Sequence, residues 1–398
     1  MANELLTTDL IADRALMRFS ENLTALKSLP KTYAKDFSGP MKIGDEVRVP
    51  IPQHAVIRHG RVATPAPMKT LVRPVTIQDQ IGFDLQYTSA ELALDIEEFD
   101  RRYLSQQMAD LAVNVEAAVQ TLMYQWCPNQ TGTPDGQWTE IAYANIARKL
   151  IEDNGGGKGT KKMLTNNAAD TTIIPALSGL FNSQKQIEVQ YEEGVMGRAS
   201  GFDWASTTVA PVHARGSANA SYDINGANQT GSSIAIDTGA GTFLVGDIVT
   251  FAGCVAVHPQ TKASLGYLRQ FVVTADLAAA GNLQIYPAIV VSGSEQNVTA
   301  SPTDGGDVVI LGTASDTYGI NLAYRPEAFQ FVTVDLPELA GWKNSRREFE
   351  GVSMRVVEAS DAINDMNLTR FDIMWGFGAL RPEWACRIAN DPANLTPA

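Results

Sequence analysis

Residues 91–126 contain neither glycine nor proline, and within them Leu104, Met108, Leu111, Val115, Val119, Leu122 and Trp126 recur at spacings of three and four. That spacing follows the helical repeat and predicts one amphipathic helix, about 54 Å long at about 1.5 Å of rise per residue. A helix of this length exceeds the usual range in globular domains, so other elements must pack across it as on a spine. Near its start Glu97 and Glu98 stand four positions before Arg101 and Arg102. With Asp100 they read as an ion-paired, solvated face and not as catalytic carboxylates.

The flanking segments follow other periods. In residues 8–29, Ile11, Leu16, Phe19, Leu23 and Leu26 fall at mostly helical spacing, with Thr8 as a candidate N-cap and Pro30 as the stop. This is a short amphipathic arm. The Pro-, Gly- and Lys-rich stretch after it supplies no apolar partner, so the face is expected to pack on something distant in sequence or on another subunit. From Asp45 to Tyr87 the period becomes two: Val47, Val49 and Ile51, then Val75 and Ile77, then Phe83, Leu85 and Tyr87. Those runs predict strands, and QHAVIRHGRVATPAPMK between them suits the tip of a long projecting β-hairpin.

After CPNQTGTPDG a mixed segment runs to about His213, with a helix expected at Ile141–Ile151 and a glycine run at Gly155–Gly157. Residues 214–318 then lack Trp and Met and carry short strand patterns in SSIAID, TFLVGDIVTF, YLRQFVVTA, LQIYPAIVV and DVVILGT. Short, evenly spaced strands with turn signals between them indicate an inserted all-β barrel or sandwich. The last stretch returns to mixed texture. The fold class is α+β.

Chemistry is sparse. Lys and Arg number 31 against 44 Asp and Glu, a net charge of −13, which is the wrong sign for a nucleic-acid binder. GGGKGTKK fails the P-loop pattern because Gly159 separates Lys158 from Thr160, so a loop is the better reading, with Lys158, Lys161 and Lys162 as a possible basic contact. Of the four histidines only His258 has a nearby soft ligand, Cys254, at a spacing that suits a helix and not the strand it sits in. Cys127, Cys254 and Cys386 are scattered and odd in number, as free thiols in a reducing compartment would be. No catalytic, cofactor or metal residues are assigned. The acidic N-terminus is no secretory signal, and no window is apolar enough to span a membrane. A soluble protein made in the cytoplasm is expected.

The order of elements, arm, projecting hairpin, spine helix, mixed domain, inserted β-domain and return, resembles the tailed-phage capsid fold. The likeness is to coat proteins of short-tailed Salmonella-type phages, the subfamily with an insertion domain. It is carried collinearly by VTIQDQIGFDLQYTSAELALDIEEFDRRYLSQQMADLAVNVEAAVQTLM, GRASGFDWASTTVAPV, GDIVTFAGCVAVHPQTKASLGYLRQFVV and WGFGALRPEWACRI, with the RPE at Arg381–Glu383 matching the family.

The resemblance implies an N-terminal arm at 1–36, an extended loop and peripheral strands at 37–90, the spine helix at 91–127 and a first axial part at 128–213. The inserted β-barrel follows at 214–318, and 319–398 returns to the axial and peripheral domains. It also implies a major capsid protein that forms hexamers and pentamers of itself on a scaffolding protein and leaves a vertex for a portal protein. The shell encloses double-stranded DNA without reading sequence, expands on packaging and in some cases carries a decoration protein. It has no cofactor and no membrane partner, is made in the host bacterial cytoplasm and resides in the virion. Expected assembly contacts are Leu16, Phe19, Leu23 and Leu26 of the arm, Val56, Ile57 and Arg58 of the loop, and Asp223 and Asn225 in the inserted domain's loop, Ser221–Ser233. Asp223 is that loop's only charge.

A nanocompartment shell protein enclosing enzymes is the nearest alternative, and the inserted domain counts against it. An enzyme with a β-domain is the other, and the missing catalytic constellation counts against that.

Overall fold

In the computed structural model, residues 8–31, 42–55, 57, 60–62, 70–88, 96–157, 159–177, 196–361 and 366–391 are described. The chain divides into two compact units, Met1–Val49 with Arg73–Val119 and Phe329–Leu380, and Pro50–Val72 with Gln120–Ala328 and Arg381–Ala398.

The first unit is built on an antiparallel core of β18 (Met366–Ala379), which pairs with β2 (Leu71–Thr88) on one side and β17 (Val352–Asp361) on the other. β1 (Glu46–Ile51) extends the sheet beyond β2, β16 (Lys343–Phe349) beyond β17, and β15 (Phe329–Val334) pairs with the far end of β18. The period-two residues of the sequence become one buried face here: Val49, Val75 and Ile77 pack with Val332, Val334 and Met374.

The arm folds back onto this unit. Its helix α1 (Thr8–Glu21) contacts β16 and β17, and α2 (Ala25–Ser28) follows.

The spine is helical from Ile96 to Trp126, as α3 (Ile96–Phe99), a π turn at Asp100–Leu104 and α4 (Ser105–Trp126). Leu104, Met108, Leu111, Val115 and Val119 are buried as the spacing requires, after which the seam passes to Met123 and leaves Trp126 38% exposed. The drift has a simple cause. A row of threes and fours follows a straight helix only approximately, so its last members rotate to the edge of the stripe.

The second unit holds a seven-stranded sheet ordered β3 (Asn129–Gly132), β19 (Ala385–Asn390), β14 (Thr317–Tyr324), β4 (Lys161–Asn166), β6 (Phe202–Thr207) and β5 (Arg198–Ala199), with β7 (Val212–Ala214) also pairing β14. Helices α5 (Ile141–Ile151) and α6 (Asn167–Leu177) belong to it, and Trp138, Ala147, Ile151, Ile173, Phe202 and Trp204 share its core.

The inserted domain hangs from β7 and β14, whose residues pair Ala214 with Thr317, His213 with Tyr318 and Val212 with Gly319. Its six strands run in the order β13 (Val308–Ile310), β10 (Ile248–Val257), β11 (Ser264–Val273), β12 (Gly281–Ile289), β9 (Gly231–Asp237) and β8 (Asp223–Ile224). The two end strands meet: the Ile224 amide donates to the Gly306 carbonyl at 3.0 Å and the Val308 amide to that of Tyr222 at 2.9 Å. The sheet is therefore closed into a barrel, filled by Tyr222, Ile236, Phe243, Phe251, Phe271 and Ile285. Closure removes the exposed edges that an open sheet would present.

Candidate assembly surfaces

The arm is fixed by both faces of its chemistry. Ile11, Leu16, Phe19, Leu23 and Leu26 are all at most 4% exposed, so the apolar stripe is covered by its own chain. Around it, Ser345 Oγ donates to Asp9 Oδ1 at 2.6 Å, Ser20 Oγ to Glu350 Oε2 at 2.6 Å, and Arg347 reaches both Asp9 and Asp13 at 3.3 Å. Thr8 opens α1, and its hydroxyl donates to Glu358 at 2.7 Å.

Two acids of the spine complete the clamp. Asp100, expected on a solvated face, is 4% exposed and accepts from Arg18 at 2.7 Å. Its carboxylate raises the already high pKa of that guanidinium. The π turn at Asp100–Leu104 coincides with this turn of the spine toward the arm. Glu98 and Arg102 keep the exposed pairing the sequence suggested, at 3.8 Å. Glu116, 3% exposed, accepts the backbone amides of Thr24 at 2.8 Å and Ala25 at 2.5 Å, the free donors at the start of α2. Neither role has a local sequence signal, because the partners are 82 and 91 to 92 positions away.

The extended loop is different. Its stem strands carry the predicted period, Val56 and Arg58 lie outside the described residues, and Ile57 and Val62 are 69% and 80% exposed. The base of the loop is held. Gln53 Nε2 donates to Ser294 Oγ at 2.6 Å, the His54 amide to Glu295 Oε1 at 3.3 Å, and Arg381 to the Pro52 carbonyl at 3.2 Å.

Arg381 belongs to RPEW, three of whose residues, Arg381, Glu383 and Trp384, bind different elements. The Arg381 guanidinium lies 4.5 Å over the Trp384 ring, Trp384 Nε1 donates to the Asn154 carbonyl at 3.2 Å, and Glu383 accepts from the Tyr286 hydroxyl of the barrel at 2.7 Å.

At the root of the barrel His213 Nε2 lies 2.9 Å from Asp247 Oδ1, and the same carboxylate accepts the amides of Gly216 and Leu244. Burial lowers the His213 pKa and the hydrogen bond to Asp247 opposes it; the direction is downward, so the ring is neutral and donates. Gly246, at φ +97°, brings the backbone so near His213 that an added Cβ would stand 3.1 Å from the ring.

The loop expected at Ser221–Ser233 contains all of β8 and the start of β9, leaving 225–230 as the connection. Gln229 ties it down by donating to the carbonyls of Asn225, Gly226 and Ala235 and accepting the Ala235 amide. Asn225 is exposed, whereas Asp223 accepts from Thr238 at 3.0 Å within its own subunit.

The remaining candidates are structural. The glycine run ends α5, with Gly155 at φ +85° and the Gly156 carbonyl accepting from Arg325 at 2.5 Å, and is no open phosphate loop. Lys161 pairs with Glu152 at 2.9 Å and Lys162 with Asp203 at 3.1 Å, which removes them from the proposed basic contact; Lys158 lies outside the described residues. His258 Nδ1 accepts the amides of Gln260 and Thr261 and shapes a turn.

Burial pushes the thiols of Cys127 and Cys254 up to about 12, and that of Cys386 well above its ordinary value. Among the described residues no group of three His, Cys, Asp or Glu is placed to hold a metal, and no helix is long and apolar enough to cross a membrane. Arg387, wholly buried, holds its guanidinium 5.8 Å over the Tyr124 ring with no hydrogen bond to those nitrogens among the described residues, a further feature the sequence did not announce.

An arm clamped on its own sheet, a strand-stemmed loop, a helical spine and a closed inserted barrel define the class: a structural subunit of a phage head. A family model described as P22 coat protein, gene protein 5, matches residues 86–387, well over half of the chain, and the chain belongs to that family. It is 22% identical over 341 residues to the major capsid protein of Acyrthosiphon pisum secondary endosymbiont phage 1, covering 77% of this chain and 79% of that one.

Among solved structures it resembles a chain from Mycobacterium phage Che8 (8% identity, 92% and 90% covered, TM-score 0.46) and one from a virus-like particle of Pyrococcus furiosus (10%, 95% and 97%, 0.40).

Proposed function

We propose that copies of this chain assemble as hexamers and pentamers around a scaffolding protein into a procapsid, with a portal protein at one vertex, and that the shell expands as double-stranded DNA enters. The single observation that carries this reading is the family match over residues 86–387, which includes the whole inserted barrel. The net charge of −13 suits a container wall that repels its contents instead of binding them. The subunit has no catalytic role and is made in the host cytoplasm. Its contacts are many and weak, so the shell is stable although no single pair need be.

The loop residues Val56, Ile57 and Arg58 are the principal contacts with neighbours, with Asn225 and Asp223 secondary. Leu16, Phe19, Leu23 and Leu26 take part only if the arm lifts from its own subunit. A decoration protein is an optional partner.

Coexpression with an adjacent scaffolding gene is expected to give closed icosahedral shells by electron microscopy, and persistently monomeric protein under those conditions overturns the reading. Shells that fill with DNA when the portal and packaging genes are supplied separate it from an enzyme-enclosing nanocompartment.

A further inference from the structure

The family role requires a loop that projects, but not that anything in the subunit should aim it. Three contacts converge on the residues just before the tip, and they come from two distant parts of the sequence.

Ser294 and Glu295 sit in a turn of the barrel after β12. That turn is stiffened from outside, because Lys262 Nζ donates to the carbonyls of Ser294 at 2.5 Å and Gln296 at 3.4 Å while the Gln296 amide donates to Gly293. It offers a hydroxyl to Gln53 and a carboxylate oxygen to the His54 amide. Arg381 takes the Pro52 carbonyl and is itself held flat on Trp384.

Thus three successive residues, Pro52, Gln53 and His54, are gripped through backbone or side chain. The His54 ring is half-buried at the same spot, and burial lowers its pKa.

We propose that the Ser294–Gln296 turn and Arg381 form an intrachain latch that fixes the direction in which the extended loop leaves the subunit. The inserted barrel thereby acts on loop placement through a turn other than its connection at 225–230. A rigid exit shortens the search of the loop for its partner, because less orientational freedom is lost on docking.

Hydrogen exchange on the unassembled full-length chain tests the latch without depending on shell formation. In the Ser294→Ala/Glu295→Ala double variant, amides of residues 53–55 are expected to exchange about tenfold faster than in the wild type. The β10 and β11 amides serve as an internal control and stay unchanged. Glu295→Gln keeps an acceptor oxygen and holds the wild-type rate, and Lys262→Met, which makes no hydrogen bond to the loop base, gives an intermediate increase by loosening the turn. Gln53→Ala, outside the barrel, accelerates the His54 amide even if the double variant disturbs barrel folding. Exchange at 53–55 that is equally fast in the wild type, or unchanged in both the double variant and Gln53→Ala, overturns the proposal.

Discussion

The arm and the extended loop look alike in sequence: each is a segment whose apolar residues lack a partner nearby in the chain. The structure separates them. The arm buries Phe19 and Leu26 completely against its own unit and answers its polar groups with Glu350, Ser345, Asp100 and Glu116, whereas the loop leaves Ile57 and Val62 largely in solvent and is held at its base. An amphipathic period reports that a face will be covered, not by whom. What fixes the arm is a polar rim satisfied inside the subunit, because directed hydrogen bonds at the edge of a stripe fix its partner in a way that apolar area does not.

The contrast makes predictions that are largest at the arm. Phe19→Ala removes a wholly buried ring and is expected to cost about 3–5 kcal/mol, read as a fall in the denaturant midpoint of the unassembled chain. A change within experimental error would mean that the arm is not part of the subunit core. Deleting Met1–Leu29 is therefore expected to destabilise the subunit itself and not merely its assembly.

Glu116→Ala strands two backbone amides of the arm and is expected to cost about 2 kcal/mol, while Glu116→Gln retains an acceptor and costs less than half of that. Equal losses for the two variants would assign the effect to packing. At the loop, Ile57→Ser leaves subunit stability within about 0.5 kcal/mol, as an exposed substitution does, but lowers shell yield in scaffold coexpression several-fold. Wild-type yield would remove Ile57 from the contact set.

The smallest effect is that of pH. The arm carries no histidine, while His54 and His213 both have pKa values lowered by burial. Such a group binds a proton more readily when unfolded, so stability is full above about pH 6.5, the ordinary histidine value, and declines as pH falls toward the lower folded-state value. His213→Gln is expected to flatten that decline in an acid series of denaturation curves; an unchanged slope would place its origin elsewhere.

Much of this was legible in the sequence, and the limits have physical causes. The seam from Leu104 to Val119, the helix at Ile141–Ile151 and the barrel strands were all marked by periodicity, since local repeat and local structure share one length scale. Asp100 beside Arg101 and Arg102 looked solvated because neighbours in sequence suggested the pairing, yet its partner is Arg18. RPE was recognised as a likeness without a role, because Arg381 and Glu383, with Trp384 after them, act on elements far away in sequence. The glycine run looked like a loop, and became a helix terminus held by Arg325.

The pairing of β7 with β14 has one more consequence. The chain leaves for the barrel at Ala214 and returns at Thr317, and those two residues are directly opposite each other in a hydrogen-bonded ladder. A passenger domain whose own ends lie a strand's width apart matches the spacing of that socket, and gives up the barrel's bonds to Glu383, Gln130 and the loop base. The barrel is thus a natural exchange point for protein engineering, where a foreign binding module could be presented in as many copies as the shell has subunits.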